Sequence, residues 1–362
     1  MLTSKMIKEA AYAAGADLCG IAPMSRLAGA RDEMNPKFLF PEAKSVIDFV
    51  FRIPRGVQRG IEEGTQFYQY PSMAYGGINE IFAPAVLYQV GKVIEDEGYE
   101  AFVYRNTGAR GVVSDMDGSP GNTLSPEEQI EVNENARDST AHHRSVQFTR
   151  PVREGTVAPD LQFQFRLCAV ACGLGEIGYS KMLLTPEFGP LQRVAFLFTD
   201  AELEYDEMYS GEPLCHRCYA CVRECPGQCI PMDQTVRVEI EGKVCEWGDI
   251  DMWRCYAFYT HAGRYFNPFV PKEVFDANEN GSLDLLEGKT DVADEQEIMK
   301  VYTALQKYFP SWVGYNMAKC GGCIRACISM LEKKAAALKD ASKSRSAPEK
   351  PGSWTDKEGR AC

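Results

Sequence analysis

The sequence has no apolar run approaching the roughly 18–20 residues that cross a bilayer, so no transmembrane helix is expected. The opening stretch, MLTSKMIKEAAYAAGADLCG, carries no hydrophobic signal core, no cleavage site and no twin-arginine pair. The expectation is a cytoplasmic protein that does not meet a membrane. Positive charge is in deficit: 39 Lys and Arg face 51 Asp and Glu, a formal net charge of −12. Such a balance disfavours broad contact with phosphate backbones, although a local basic patch could still form. Histidine is scarce, with four residues in 362. With 45% hydrophobic and 25% charged residues, the rest of the composition is that of an ordinary globular chain long enough for about two domains.

Cysteine is not scarce. There are 14, about 4% of the chain, which is well below a disulfide scaffold. The cytosol also keeps thiols reduced. Metal or iron–sulphur ligation is the better explanation, and spacing decides it. The sequence Cys215-His-Arg-Cys218-Tyr-Ala-Cys221-Val-Arg-Glu-Cys225-Pro226 is C-x2-C-x2-C-x3-C-P. Three cysteines at this spacing wrap one [4Fe–4S] cluster, and the fourth turns away to the neighbouring cluster. Zinc more often takes separated C-x2-C knuckles. A complement is present in Cys320-Gly-Gly-Cys323-Ile-Arg-Ala-Cys327, which lacks the final proline. Crossed ligation assigns Cys215, Cys218, Cys221 and Cys327 to one cluster and Cys225, Cys320 and Cys323 to the other. The second needs a fourth ligand, with Cys229, Cys245 and Cys255 as alternatives. Cys255 is favoured because WRCYAFYT is an apolar segment able to pack beside a cluster. Cys19, Cys168 and Cys172 read as small buried hydrophobes, and Cys362 has no assigned role.

The periodicity predicts a helix over 2–14 capped by Thr3 or Ser4 and stopped by Gly15. Strands are expected at 17–22, 46–51, 100–105 and 193–199. A helix capped by Asn79 should run to about Glu97, where Gly98 stops it. Between 106 and 160 the chain is polar and rich in turn formers, which suggests a lid or an excursion over a site. The Gly- and Tyr-rich stretch 62–77 offers Tyr68, Tyr70 and Tyr75, with Arg166, as a proton donor and its polariser.

The residues RLCAVACGLGEIGYSKMLLTPEFGPLQRVAFLFTD, followed by the cysteine motif, resemble the epoxyqueuosine reductase and reductive dehalogenase superfamily. GADLCGIA and PEAKSVIDFVF near the N-terminus are similar to that group as well. The resemblance covers about residues 1–330. It implies an α+β protein: a nitroreductase-like α/β sandwich domain over 1–204, then a ferredoxin-like domain with two [4Fe–4S] clusters over 205–332. The latter would carry an acidic insertion at 272–300, and 333–362 would be a flexible tail. A cobalamin or related corrinoid is implied, held without a protein ligand on its cobalt. No D-x-H-x-x-G motif occurs to supply one. The resemblance also implies the ligand sets Cys215, Cys218, Cys221, Cys327 and Cys225, Cys255, Cys320, Cys323. Wording around GLGEIG and TPEFGP is closer to the dehalogenase branch. The tRNA-modifying branch uses an upstream Asp, to which Asp160 corresponds with a small offset. The expected partners are a small organic substrate and a reduced ferredoxin or flavodoxin-type donor; tRNA is the alternative substrate.

Gly173-Leu174-Gly175-Glu176-Ile-Gly178 also matches G-x-G-x-x-G, but a Rossmann site needs a strand before it and a crossover helix after it. Only YSKMLL follows here, so Gly173, Leu174, Gly175, Glu176 and Gly178, with Thr185, Phe188 and Gly189 of the next turn, are read as contacts to a large planar cofactor. A plain packing turn is the alternative. Finally, Asp276-Ala-Asn278-Glu-Asn280-Gly281-Ser282-Leu-Asp284-Leu-Leu-Glu287 fits a calcium loop at every position. Gly288 and the lack of a second such loop leave an acidic, solvated insertion as the competing expectation.

Overall fold

The computed structural model describes residues 2–63, 69–104, 161, 163–261, 263–264, 270–278, 280–291, 293–305, 308 and 321–342. The 106–160 excursion, Asp160, Tyr68, Cys320 and the chain beyond 342 lie outside the described residues.

The chain is a mixed helix and sheet protein. Helix α1 (Ser4–Ala14) opens with the Thr3 hydroxyl accepting from the Met6 amide and closes at Gly15 with φ +109°. That left-handed turn is one that only glycine adopts cheaply. Strand β1 (Leu18–Pro23) follows, then β2 (Ser45–Arg52), whose apolar alternation puts Ile47, Phe49 and Phe51 on one face and Val46 and Val50 on the other. A short α2 (Arg59–Glu63) precedes a wide, π-helical segment, Tyr70–Phe82, which runs directly into α3 (Ala83–Asp96). Asn79 is therefore inside a continuous helix rather than capping one. Pro71, Gly76 and Gly77 weaken ordinary helical bonding in this stretch, and the chain relaxes into the wider i→i+5 pattern. Gly98 then stops the helix at φ +86°.

Strand β3 (Ala101–Tyr104), α4 (Phe165–Ala171), the small hairpin β4 (Glu176–Ile177) and β5 (Leu183–Leu184), and β6 (Gln192–Thr199) complete the first half. The main sheet is antiparallel throughout, in the order β1-β2-β6-β3. Helices α1 and α3 cover one face, against Ile47, Phe49, Ala195 and Leu197. Helix α4 covers the other, with Phe163, Phe196 and Phe198 packed edge to face.

The second half is built from α5 (Ala220–Arg223), the hairpin β7 (Thr235–Ile240) and β8 (Lys243–Gly248), α6 (Met252–His261), α7 (Lys272–Asp276), α8 (Asp284–Glu287), α9 (Glu295–Leu305) and α10 (Gly322–Ser342). Ile240, Cys245 and Trp247 of the β7–β8 hairpin join the core beneath α4. Helix α10 continues to Ser342, into the stretch expected as tail, because LEKKAAALKD consists largely of strong helix formers. Among the described residues no helix is long and apolar enough to cross a membrane.

The described residues of 270–305 keep their polar side chains wholly or partly exposed but bury an apolar set. Phe275, Leu283, Leu285 and Leu286 are buried against Ala257, Phe258, Ile298 and Val301 in a separate core. The calcium-like loop is closed by the protein's own groups. Arg264 donates to Asp276 at 2.6 Å and to Glu287 at 3.1 Å, and Asn278 Nδ2 donates to Asp284 at 2.8 Å. Asn280 Oδ1 accepts from the Ser282 amide and hydroxyl. A guanidinium thus supplies the positive charge that the expected cation would bring.

Candidate functional site

The first cysteine loop is strained in a way that wraps it. Arg217 and Tyr219, each lying between two cysteines, have φ +49° and +55°, a region costly for residues other than glycine. Cys215, Cys218 and Cys221 consequently face a single cavity of about 600 Å³, and Cys327 of α10 completes its lining. Burial pushes the Cys327 thiol up to about 12, and the nearby Cys215, Cys221 and Cys218 push the same way. Cys218 is exposed, so this set opens toward solvent.

The GLGEIG segment serves this loop. Helix α4 precedes it and a hairpin follows it, which excludes the Rossmann arrangement. A Cβ on Gly173 would fall 2.2 Å from Glu207 O, and one on Gly175 would fall 2.0 Å from Leu184 O. Both glycines are thus required by the protein's own backbone. Glu176 Oε1 accepts from the amides of Leu214 (2.6 Å) and Cys215 (2.9 Å), pinning the start of the motif. The Tyr179 amide donates to Cys215 Sγ at 3.4 Å, and the Tyr179 hydroxyl donates to Pro231 O at 2.8 Å. Gly178 lines the cavity, and Leu174 is buried under α4. Thr185 and Gly189 bridge the TPEFG turn, where the Phe188 amide donates to Thr185 Oγ1. None of the eight residues read as cofactor contacts has a described contact with the tyrosine–arginine cluster described below.

The second set lies beside the first. Cys225, Cys229 and Cys255 form a chain of contacting thiols, with Cys229 in the middle. The hydrogen bond from Cys229 holds Cys225 down at about 6 against the opposing effect of burial. Cys255 is likewise lowered, chiefly by Cys229. Cys245 takes no part; it is buried under the β7–β8 hairpin. Cys323 shares a small apolar cluster with Tyr179, Cys221 and Cys225. Cys323 and Cys327 are i and i+4 on α10, so that helix carries one cysteine to each set at neighbouring positions. Among the described residues no three His, Cys, Asp or Glu side chains close tightly enough on one point to hold a single ion. A four-iron cluster asks for something else: four thiolates around a cube, each bound to its own iron. The thiol-only donor sets and the apolar surroundings suit that demand.

Beyond the second set lies a largely half-buried cluster of arginines and tyrosines, of which Tyr70 is fully buried. The π-helical spacing places Tyr70 and Tyr75 five residues apart, on one face. Arg193 of β6 donates to Tyr70 Oη and to Ala74 O, both at 3.0 Å, and its guanidinium lies 4.9 Å from the Tyr75 ring centre. The Tyr75 and Tyr259 rings stand 6.0 Å apart, and their hydroxyls are hydrogen-bonded. Burial raises the Tyr259 phenol well above its ordinary range. Burial lowers Arg166, whose charged surroundings are Cys323, Arg193, Cys255 and Tyr259. For Arg193 burial works against the charge, but Tyr70, Tyr259 and Tyr75 outweigh it and hold the group above its ordinary value. Cys255 and Tyr259 are one turn apart on α6, so the second set and the phenols share a helix face.

Of the residues expected as proton donor and polariser, the structure brings Arg166, Tyr70 and Tyr75 together. Arg193 and Tyr259 were missed. Arg193 had a signal: it is the only charge on the Leu191, Arg193, Ala195, Leu197 face of an otherwise apolar strand. Tyr259 had one too, standing four residues after Cys255. Gln58 and Asn79 are also fully buried, with no hydrogen-bond partner for either side-chain amide among the described residues.

No known family model matches the chain. A tetrachloroethene reductive dehalogenase of Desulfitobacterium hafniense (strain Y51) is 29% identical over 158 residues, which is 41% of this chain and 27% of that protein. The match therefore spans about a quarter of the relative's length. Among solved structures, a reductive dehalogenase studied for B12-dependent dehalogenation aligns with a TM-score of 0.44 at 17% identity, over 86% of this chain and 37% of the other. Epoxyqueuosine reductase from Bacillus subtilis aligns with a TM-score of 0.39 at 15% identity, over 95% and 86%. These relatives and neighbours fall in the superfamily that the sequence motifs resemble.

Proposed function

We propose that the chain is an iron–sulphur reductase of the reductive dehalogenase type, with a nitroreductase-like sandwich over 1–204 and a ferredoxin-like part over 205–332. One observation carries this: the two cysteine sets lead from an exposed thiol, Cys218, to a half-buried cluster of ionisable side chains at Arg166, Arg193, Tyr75 and Tyr259. Cys215, Cys218, Cys221 and Cys327 would hold the outer [4Fe–4S] cluster. Cys225, Cys255, Cys320 and Cys323 would hold the inner one. Electrons from a ferredoxin- or flavodoxin-type donor enter at the outer set and leave beside Arg166.

A corrinoid would be the group reduced beyond the second cysteine set. Gln58 and Asn79, whose buried side-chain amides have no partner among the described residues, would be candidates to bond the amide-bearing rim of such a ring, since an unpaired buried amide costs roughly 1–3 kcal/mol until it finds a partner. When bound, it supplies a low-potential cobalt able to reduce a carbon–halogen bond. The chain's own residues do the rest. Tyr259, kept protonated by burial and hydrogen-bonded to Tyr75, holds the proton that replaces the leaving group. Arg193 and Arg166 favour the phenolate left behind. Among the described residues, the strongest charged neighbours of the two arginines are cysteines, tyrosines and the other arginine, which leaves their field to act on that developing charge.

The test is anaerobic reconstitution followed by corrinoid titration and assay with tetrachloroethene. The expected result is corrinoid binding and halide release. Absence of corrinoid binding in every redox state defeats the proposal. Turnover of an epoxyqueuosine-containing tRNA stem loop, with no action on organohalides, would place the chain in the other branch.

A further inference from the structure

We propose that the open side of the Cys218 cavity is a docking surface for a small acidic protein that carries a one-electron group. The inference rests on reading Cys215, Cys218, Cys221 and Cys327 as the ligands of the outer cluster, and it fixes where the electron donor sits. The chain as a whole is acidic, with a formal net charge of −12. The lining of this cavity runs the other way: it takes Arg217, Lys333 and Lys334 with His216, and no Asp or Glu among the described residues. The sequence of α10 builds one side of it. Cys327, Met330, Leu331 and Lys334 fall at i, i+3, i+4 and i+7, a single stripe of the helix. Lys333 and Lys334 are exposed, and no carboxylate among the described residues pairs with either. The Lys334 ammonium donates to His216 Nε2 at 2.7 Å, which joins the helix to the cysteine loop at the rim. Arg223, also exposed, donates to Cys218 O at 2.9 Å.

The neighbouring acids do not cancel this charge. Glu246 pairs with Arg217 at 3.2 Å, and Glu332, next to Lys333, is taken up by Arg55. Glu212 and Glu224 are exposed on the flanking loop but do not line the cavity. Between the thiols and the cations lie Leu214, Met330 and Leu331, each half-buried. An apolar centre inside a charged rim is the make-up of a protein interface. Rim charge raises the encounter rate more than the lasting affinity, which suits a carrier that leaves after delivery. Cys218 is exposed at the same opening. One electron passes there from the partner's reduced group to the outer cluster; the partner is oxidised by one electron, and no bond or proton moves. An RNA backbone would also be drawn to cations, but it brings no electron to Cys218 and meets an acidic chain beyond the patch.

The experiment compares the full chain, reconstituted anaerobically, as wild type, Lys333→Glu/Lys334→Glu and Lys5→Glu/Lys37→Glu. Lys5 and Lys37 are exposed and lie outside the cavity lining, so the last variant matches the change in net charge. Binding of an acidic flavodoxin and an acidic ferredoxin is measured by calorimetry. Reduction of the outer cluster by each reduced donor and by methyl viologen radical is followed by stopped flow. Measurements are made at low salt and at about 1 M salt, where the Debye length is about 3 Å. The Lys333/Lys334 reversal should weaken binding of at least one donor and slow its reaction about tenfold or more at low salt. The difference should vanish at high salt, and reduction by viologen should be unchanged, as should both reactions of the Lys5/Lys37 variant. Binding and rates of both donors unaltered by the reversal overturn the proposal. Equal slowing with viologen overturns it too, because the cations would then serve the cluster itself. Salt-dependent binding of an RNA stem loop that the reversal abolishes, with both donors indifferent, assigns the patch to nucleic acid instead. Absence of any cluster signal in wild type defeats the ligand assignment and this proposal with it. A viologen-reducible cluster without salt-dependent binding of either donor defeats the docking surface alone.

Discussion

Asp48 stands at the centre of β2, fully buried, with no hydrogen-bond partner among the described residues for either carboxylate oxygen. Burial raises its pKa well above the carboxylate range. The folded protein therefore keeps a proton that the unfolded chain releases above about pH 4. The stability that goes with this proton is complete below that pH and is lost as pH rises toward the folded value. Asp48→Asn should flatten the decline of Tm between pH 5 and pH 8; an unchanged slope would show that Asp48 is not the cause. Nothing in the residue order marks Asp48 as strained, because VIDFVF reads as an apolar strand with one tolerated charge. The proposed catalytic end of the molecule was half legible on the same terms. Arg166, Tyr70 and Tyr75 could be picked from local composition, whereas Arg193 and Tyr259 are joined to them only by tertiary packing. Tyr259→Phe and Arg193→Gln should each lower turnover by about 10²–10⁴-fold. Both should leave iron content and the EPR signals intact. Cluster loss in either variant would assign them a structural role instead.

At the scale of elements, strands and capped helices were legible because their signals are local. Thr3 and Gly15 bound α1, and the alternation in VIDFVF and RVAFLFT gives the two central strands. The π-helical segment was not legible, since the same apolar spacing serves an ordinary helix. The GLGEIG hairpin shows a different limit. Its glycines signalled close approach correctly, but the approaching group is backbone at Glu207 and Leu184. Glu176, at its centre, pins the first cysteine loop through two amides. Glu176→Ala should cost about 1–3 kcal/mol by leaving those amides unpaired. Iron should then leave the outer cluster faster under a chelator while the inner cluster is unaffected; equal loss from both would contradict this. The calcium-like loop carries the right oxygens, yet Arg264 already balances Asp276 and Glu287. Millimolar Ca²⁺ should therefore move Tm by less than about 1 °C, since a ligand stabilises only as far as it binds the folded state. A rise of several degrees would show that the cation displaces Arg264.

Across the whole molecule, the sheet and its two helical faces hold the arginines and tyrosines at one end, and α10 ties this half to the cysteine region. That tie includes a bidentate pair between Arg55 and Glu332, at 2.6 and 3.1 Å, which lowers the Glu332 carboxyl. Both partners are partly exposed, so the pair is worth no more than about 1 kcal/mol. The larger contribution comes from burial of Ile324 in the core beneath α1 and α3. This arrangement sets Cys323 toward Arg166 and Cys327 toward the first cysteine loop, so the two proposed cluster sites would run from Cys218 toward Arg166. The cysteine spacing leads to the expectation of two clusters, but the placement of the two cysteine sets appears only when α5, α6 and α10 are assembled. The most direct measurement is a stepwise redox titration of the anaerobically reconstituted chain, followed by EPR, with and without added corrinoid. Two S = 1/2 four-iron signals should appear, and the line shape of the inner one alone should change when corrinoid is bound. A single cluster signal, or two signals indifferent to corrinoid, would contradict the path from Cys218 to Tyr259.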